Sequence, residues 1–169
     1  FAASVTGVLS SGKGAEAKRR IEATRDQWEL RGNTVHRALE LAATEDDWHP
    51  DHWPACWPWI DWIWPMLTHT LWDQARLIAS ERPTYSLRRN IAGTYDGGIA
   101  VPKGGGGWWR YLFDLKTQGS TASSPYDTRP QLGGYLELEL EHGNHYDGAL
   151  TLWARPGRCR LTRIYTVEE

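Results

Sequence analysis

The pattern of apolar and polar positions between residues 79 and 117 predicts three strands of one sheet. Residues 90–101 and 108–117 are rich in aliphatic and aromatic residues and are separated by a turn with four glycines, and residues 79–87 are expected to form the strand before them. A glycine-rich turn between two such runs is typical of a β-hairpin. We therefore expect these two runs to pair, and residues 146–154 and 159–167 to add two further strands.

Helical periodicity predicts helices before the hairpin. Residues 15–30 contain no glycine or proline, and residues 32–43 place Val35, Leu39 and Ala42 on one apolar side. Residues 59–79 predict a third helix, which Pro65 would kink or divide. Residues 1–9 are expected to be extended.

The segment after the hairpin predicts a helix over residues 130–141. Pro130 suits the first turn of a helix, but Leu136, Leu138 and Leu140 alternate with glutamates, as they would in a strand. The helix assignment therefore rests partly on a family resemblance described below. The length of 169 residues is sufficient for one domain with a core, so we expect residues 1–169 to form a single domain.

Candidate chemistry lies on the predicted hairpin. Asp114 and Lys116 are two residues apart, so on a strand they point to one side, while Phe113 and Leu115 point to the core. Asp96 approaches Asp114 if the hairpin pairs. Two carboxylates with a lysine suit a hard cation beside an ammonium group. Such a group supports metal-assisted hydrolysis of a phosphodiester.

Five segments of the chain resemble the PD-(D/E)XK nuclease superfamily, and in particular its RecB-like branch, which includes the lambda-type exonucleases. They follow the order of the family and span most of the chain: GNTVH at 32–36, ERPTYS at 81–86, AGTYD at 92–96, FDLKT at 113–117 and QLGGY at 131–135. The chain departs from the family at Tyr95, where proline is usual. The resemblance implies an α/β fold with a restriction-endonuclease-like core, in which α-helices flank a central mixed β-sheet.

The resemblance also implies roles for individual residues. Asp96 and Asp114 would bind Mg²⁺ or Mn²⁺, with His36 as a further ligand and the Leu115 carbonyl as an additional one. Lys116 would position or deprotonate the attacking water and stabilise the charged phosphorus centre.

Three further residues would border this site. The family places an acidic residue at Glu81, at the edge of the site, and uses Gln131 and Tyr135 to hold the lysine, a water or the DNA backbone. Without the family, the sequence favours a core or boundary histidine at His36, is equally compatible with a surface ion pair at Glu81, and is compatible with helix packing by Tyr135. Gly97 and Gly98 are expected to let a substrate backbone approach.

Composition limits these expectations. The net charge of −2 predicts no overall attraction for nucleic acid, so DNA contacts require local patches such as Arg82, Arg88, Arg89, Lys103 and Arg110. The chain contains 11 tryptophans, and those of residues 59–79 are expected to pack helices, with base stacking by one or two exposed members as the alternative. Two cysteines predict neither a disulfide framework nor an all-cysteine iron–sulfur cluster.

The sequence therefore predicts a cytoplasmic, metal-dependent DNA nuclease, most simply an exonuclease, acting on DNA that is single-stranded or has a free end. The apolar run 53–72 contains prolines and an aspartate, so no membrane association is expected. A protein partner or homo-oligomer is compatible with the small size. The alternatives are a catalytically silent nuclease-like domain that binds nucleic acid or a protein, a hydrolase of another substrate, and a structural domain.

Overall fold

The fold is described from a computed structural model, which covers residues 1–44, 56–61, 74–120 and 124–166. Within these ranges the chain forms an α/β architecture with a six-stranded sheet. Most of the apolar, tryptophan-rich run 53–72 lies outside the described residues. So do Pro65 and the middle of the helix predicted over residues 59–79; residues 57–61 are helical.

Among the described residues, three helices follow the first strand of the sheet, and one further helix lies between two later strands along the chain. The first part of the chain contains β1 (Ala3–Ser4), α1 (Val5–Ser11), α2 (Ala15–Ala23) and α3 (Arg25–Thr44). The sheet continues through β2 (Arg76–Ser86), β3 (Ile91–Pro102), β4 (Trp108–Thr117), α4 (Arg129–Glu141), β5 (Gly148–Arg155) and β6 (Arg158–Leu161).

The sheet is mixed. β3 pairs antiparallel with β2 on one edge and with β4 on the other, while β1 runs parallel to the start of β3. β4 and β5 are parallel, joined through α4, and β6 closes the far edge antiparallel to β5. The predicted fold class, a mixed β-sheet flanked by helices, is confirmed and is consistent with a restriction-endonuclease-like core.

The predicted boundary between the first two long helices is wrong. The break falls at Thr24, whose hydroxyl donates to the Arg20 carbonyl, and α3 continues through Gly32. Helix α3 packs against β2 and β4, and this tertiary contact offsets the low helix propensity of an internal glycine. The predicted extended segment over residues 1–9 shortens to β1, because Ser4 caps α1 by accepting from the Gly7 amide.

Strand β2 begins earlier than predicted. Its first residues, from Arg76 to Ala79, were expected to end a helix, but they alternate between exposed and half-buried positions and pair with β3. Leu77 packs on the core cluster that includes Ile99. This contact accounts for the strand conformation of a segment that was predicted as the apolar side of a helix. At the other end of the sheet, β5 and β6 are shorter than the predicted runs.

Two hydrophobic clusters cover the faces of the sheet. On one face, Val35 and Leu39 of α3 pack with Phe113 and Leu115, as the hairpin pattern predicts. On the other face, Leu132 and Tyr135 of α4 pack with neighbours from α1, β3, β4 and β5. The predicted helix at residues 130–141 is confirmed, and it buries Leu136, Leu138 and Glu139 while Leu140 stays exposed, so the alternation of leucines and glutamates does not separate two faces as in a strand.

The glutamates of α4 pair with arginines of β2 and of the turn that follows it. Glu139 lies 3.5 Å from Arg82, Glu141 lies 3.3 Å from Arg88, and Glu137 lies 2.7 Å from Arg89. Three of the arginines expected to contact DNA are therefore paired with acids. Both cysteines are free thiols. In the described part of the chain, no helix combines the length and the apolar character needed to cross a membrane.

Candidate metal centre

Three acidic residues lie in one row across the sheet. The β2–β3 register places Glu81 opposite Asp96. The β3–β4 register, continued by one pair beyond Gly97 and Phe113, places Asp96 opposite Asp114. The predicted hairpin is therefore confirmed, and its pairing brings the two predicted aspartates to neighbouring strands at the point where the pairing of β3 and β4 ends.

Asp96 sits where β3 changes face. Tyr95 belongs to the cluster beneath α4 and Ile99 to the cluster beneath α3, although residues four apart on a regular strand share a face. The Asp96 side chain is fixed at this irregularity by the Leu115 amide, which donates to Oδ2. One carboxylate oxygen is thus held by β4, and the other is directed to α3.

Helix α3 brings an imidazole to this carboxylate. Burial of Val35 and Leu39 sets the rotation of the helix, and His36 Nδ1 lies 2.7 Å from Asp96 Oδ1. His36, Glu81 and Asp96 each offer a ligand atom, and these atoms lie within 4.8 Å of one another. Two atoms bound to one cation at about 2.0–2.6 Å can be no more than about 5 Å apart, so this spacing fits a shared ion.

The charge distribution favours a cation at this position. Burial raises the pKa of Glu81, and the negative charge of Asp96 raises it further. Burial opposes the charged form of His36, but its hydrogen bond to Asp96 and the nearby acidic groups outweigh this and raise the pKa of the imidazole. A bound divalent ion would supply positive charge in place of the imidazolium and would offset the repulsion between the carboxylates of Glu81 and Asp96.

The backbone at Glu81 is strained. Its φ of 42° lies in the left-handed region, which a non-glycine residue rarely adopts within a strand. This conformation costs about 1–3 kcal/mol, and such outliers cluster at functional sites. This unusual φ occurs opposite Asp96. It sets the direction of the Glu81 side chain, whose carboxylate joins the candidate centre.

Replacing Glu81 separates strain from ligation. We expect Glu81→Gly to be more stable without metal than Glu81→Gln by about 1 kcal/mol, because glycine adopts this φ without steric cost. Both variants are expected to bind Mn²⁺ at least about tenfold more weakly. Thermal unfolding in EDTA and calorimetric titration measure the two effects; equal stability of the variants would remove the case for strain.

Asp114 and Lys116 form a pair beside this group. Lys116 Nζ lies 2.6 Å from Asp114 Oδ2, and the amide nitrogen of Gln131 donates to Asp114 Oδ1 at 3.0 Å. The same nitrogen donates to the Tyr135 hydroxyl at 3.2 Å. Gln131 and Tyr135 are buried, so they brace Asp114 from behind and are shielded from a substrate.

Opposing effects set the protonation of this pair. Burial raises the pKa of Asp114 to about 6, although Lys116 acts in the other direction, and Asp96 adds repulsion. Burial disfavours the Lys116 cation, but the attraction of Asp114 prevails and raises the pKa of the amine. Lys116 therefore remains an ammonium at neutral pH. Metal binding by Asp114 and by the Leu115 carbonyl stays a prediction.

One glycine prediction is wrong. A Cβ on Gly97 would lie 2.2 Å from the Phe113 ring, and one on Gly98 would lie 2.9 Å from the Tyr146 hydroxyl. These positions are small because core side chains fill the space, which leaves no room there for a substrate backbone.

The centre opens into a cleft of about 710 Å³. Its lining includes His36, Glu81, Leu115 and Lys116, and it extends along α3 past Gly32. Sequence patterns did not indicate one member of the lining, Tyr126, which the loop before α4 places in the cleft. Its signal was weak: a single aromatic residue in a segment rich in serine and threonine.

No protein-family model and no curated protein matches this chain. Solved structures that resemble it include the crystal structure of SSO0001, which is 16% identical over an alignment covering 94% of this chain and 64% of that one, with a TM-score of 0.47. The chain thus spans less than two thirds of that protein. The assignment of the site depends on its own geometry.

Proposed function

We propose that this protein is a divalent-metal-dependent deoxyribonuclease that hydrolyses phosphodiester bonds. The observation that carries the proposal is the joint presence, in one cleft, of a cation-sized group of ligands and a paired ammonium. His36, Glu81 and Lys116 line the cleft, and Asp96 beside them completes the group of ligands, while Lys116 supplies the ammonium. The five family-like segments of the sequence support the same reaction.

The residues present fit Mg²⁺ or Mn²⁺. Carboxylate oxygens from Glu81 and Asp96 suit either ion, and the imidazole of His36 favours Mn²⁺ over Mg²⁺. When bound there, the ion would polarise a phosphoryl oxygen and lower the pKa of the attacking water.

Lys116 would supply a second positive charge beside the ion. Its ammonium, held by Asp114, would position the water and stabilise the negative charge that develops on the phosphoryl oxygens. Because Gln131 fixes the other oxygen of Asp114, the lysine is restrained through two hydrogen-bonded neighbours. This arrangement explains why a buried glutamine and a buried tyrosine lie beneath a surface cleft.

Removing the ammonium tests the proposal. We expect Lys116→Ala to reduce cleavage of labelled single- or double-stranded DNA by about 100-fold, because one preformed transition-state contact is lost. Cleavage by the unaltered protein should require Mn²⁺ or Mg²⁺ and stop in EDTA. Product lengths from an end-labelled strand separate exonuclease from endonuclease action.

Lys18→Ala is the matched control, since Lys18 is exposed on α2 and should leave cleavage unchanged. Binding of DNA without cleavage in either metal would favour the silent nuclease-like domain. Absence of any interaction with DNA would favour a hydrolase of another substrate or a structural role.

A further inference from the structure

Two aromatic side chains are partly exposed in the cleft of the metal centre. Trp28 of α3 is 38% exposed, and Tyr126 of the loop before α4 is 57% exposed. Neither ring was part of the site predicted from the sequence. A large apolar surface left open beside polar catalytic groups is the usual composition of a ligand-binding cleft.

Both rings are held in place by contacts that leave part of their surface open. The Trp28 indole N–H donates to the Ile21 carbonyl at 3.0 Å, which fixes the ring between α3 and α2. The Tyr126 ring stands edge-on to Trp153, with the centroids 5.0 Å apart and the planes at 87°. A ring that is already ordered loses little freedom on binding, so its contact surface is available to a ligand at low entropic cost.

Position along α3 connects Trp28 to the metal centre. Trp28, Gly32 and His36 are spaced by four residues, so they follow one side of the helix, and all three line the cleft. Eight residues of helix span about 12 Å. A DNA strand advances about 3.4 Å per nucleotide when stacked and further when extended, so Trp28 lies within about four nucleotides of the phosphate at His36.

Charge alone does not explain how this cleft would retain DNA. The net charge is −2, and Arg37 in the lining pairs with Glu40 at 2.6 Å. Stacking of one base on an aromatic ring strengthens binding about five- to 150-fold, and it does not require a basic surface. The bases of a duplex already stack on one another, so such rings are useful only to an unpaired strand.

We propose that Trp28 and Tyr126 form a base-stacking subsite that selects unpaired DNA strands for the metal centre. This inference rests on the proposed nuclease function and adds its substrate class. Bases near the scissile phosphate would lie on the two rings while the phosphate reaches His36, Glu81 and Asp96. Unpaired DNA is then bound and cleaved in preference to blunt duplex DNA.

Abasic nucleotides provide the test. A single abasic nucleotide is placed in turn at each of the four positions on either side of the scissile phosphate in a single-stranded oligonucleotide. Binding is measured in EDTA by anisotropy, and cleavage is measured in Mn²⁺. We expect one or more abasic positions to weaken binding to the unaltered protein about five- to 150-fold. In Trp28→Ala, the intact strand and the strand that is abasic at the nucleotide contacted by Trp28 should bind equally, which is the signature of a lost pairwise contact.

Companion variants separate stacking from structure. Trp28→Phe keeps a stacking ring but loses the hydrogen bond to Ile21, so it should retain most of the abasic effect; a purely structural role would make it as defective as Trp28→Ala. Tyr126→Leu should remove the effect at a different nucleotide. Trp108→Ala is the matched control, because Trp108 is also 38% exposed but lies beside the turn of the hairpin, outside the cleft lining.

The two proposals fail in different ways. An abasic effect on binding that depends on Trp28, without cleavage in any metal, would overturn the nuclease and retain the stacking subsite. Metal-dependent cleavage in which no abasic position matters, or in which blunt duplex is preferred, would overturn the subsite and retain the nuclease.

Discussion

Asp96→Asn is expected to abolish DNA cleavage and to remove specific binding of Mn²⁺. Asp96 is the residue that joins the elements of the site, since its two oxygens contact His36 of α3 and the Leu115 amide of β4. Asparagine keeps the size of the side chain but removes the charge that a divalent ion requires. A loss of more than about 1,000-fold in rate corresponds to about 4 kcal/mol, a plausible value for charge stabilisation by a metal.

Calorimetric titration with Mn²⁺ and cleavage of end-labelled DNA measure this effect. Asp26→Asn is the control, because Asp26 is exposed in the first turn of α3 and should leave both quantities unchanged. Mn²⁺ affinity within twofold of the unaltered protein in Asp96→Asn would show that the ion, if it binds, is held elsewhere.

Asp114→Asn is expected to separate activity from stability. Cleavage should fall by about 1,000-fold, more than in Lys116→Ala, because the variant loses both the charge that holds Lys116 in place and a carboxylate that is predicted to bind the metal. The folded protein should nevertheless be retained, since asparagine still accepts from Gln131 and its neutral side chain avoids the burial cost of a carboxylate. Unfolding of this variant would assign Asp114 a structural role.

The stability of Asp114→Asn relative to the unaltered protein should depend on pH. The pKa of Asp114 is raised to about 6, so the folded protein holds this proton more tightly than the unfolded chain does. The unaltered protein therefore loses stability from this group as the pH rises from about 4 to about 6, and Asp114→Asn does not. Relative to the unaltered protein, the variant should gain about 2–3 kcal/mol between pH 4 and pH 7 in EDTA.

Comparing the two proteins isolates the charge of Asp114 together with its effect on the pKa values of His36 and Glu81. Asp114→Ala serves as the contrasting variant, because it leaves the Gln131 amide and the Lys116 ammonium without this acceptor and should be destabilised at every pH. A pH-independent difference between Asp114→Asn and the unaltered protein would contradict the raised pKa of Asp114.

The hairpin and its two aspartates could be predicted from the sequence because period-two alternation and a glycine turn determine strand pairing locally. The same alternation correctly separated Asp114 from Phe113 and Leu115. The approach of His36 could not be derived in this way, since it depends on how α3 lies on the sheet. Its inclusion came from the family resemblance, and the structure places it 2.7 Å from Asp96.

Glu81 shows the limit of local patterns. Its position beside Asp96 follows from the β2–β3 register and from a left-handed backbone conformation within a strand, and neither is visible in the residues around it. The start of β2 was missed for a related reason: residues 76–79 have mixed propensities, and pairing with β3 determines their conformation. The rings of Trp28 and Tyr126 meet in one cleft only through the tertiary arrangement of α3 and the loop before α4.

Anomalous diffraction from crystals of the protein grown with Mn²⁺ tests the central claim most directly. We expect one strong peak within about 2.6 Å of ligand atoms from His36, Glu81 and Asp96, with the Lys116 ammonium in the adjoining part of the cleft. A peak that is bound by other residues, or the absence of a peak while these three side chains remain together, would contradict the assignment of this group as the metal centre.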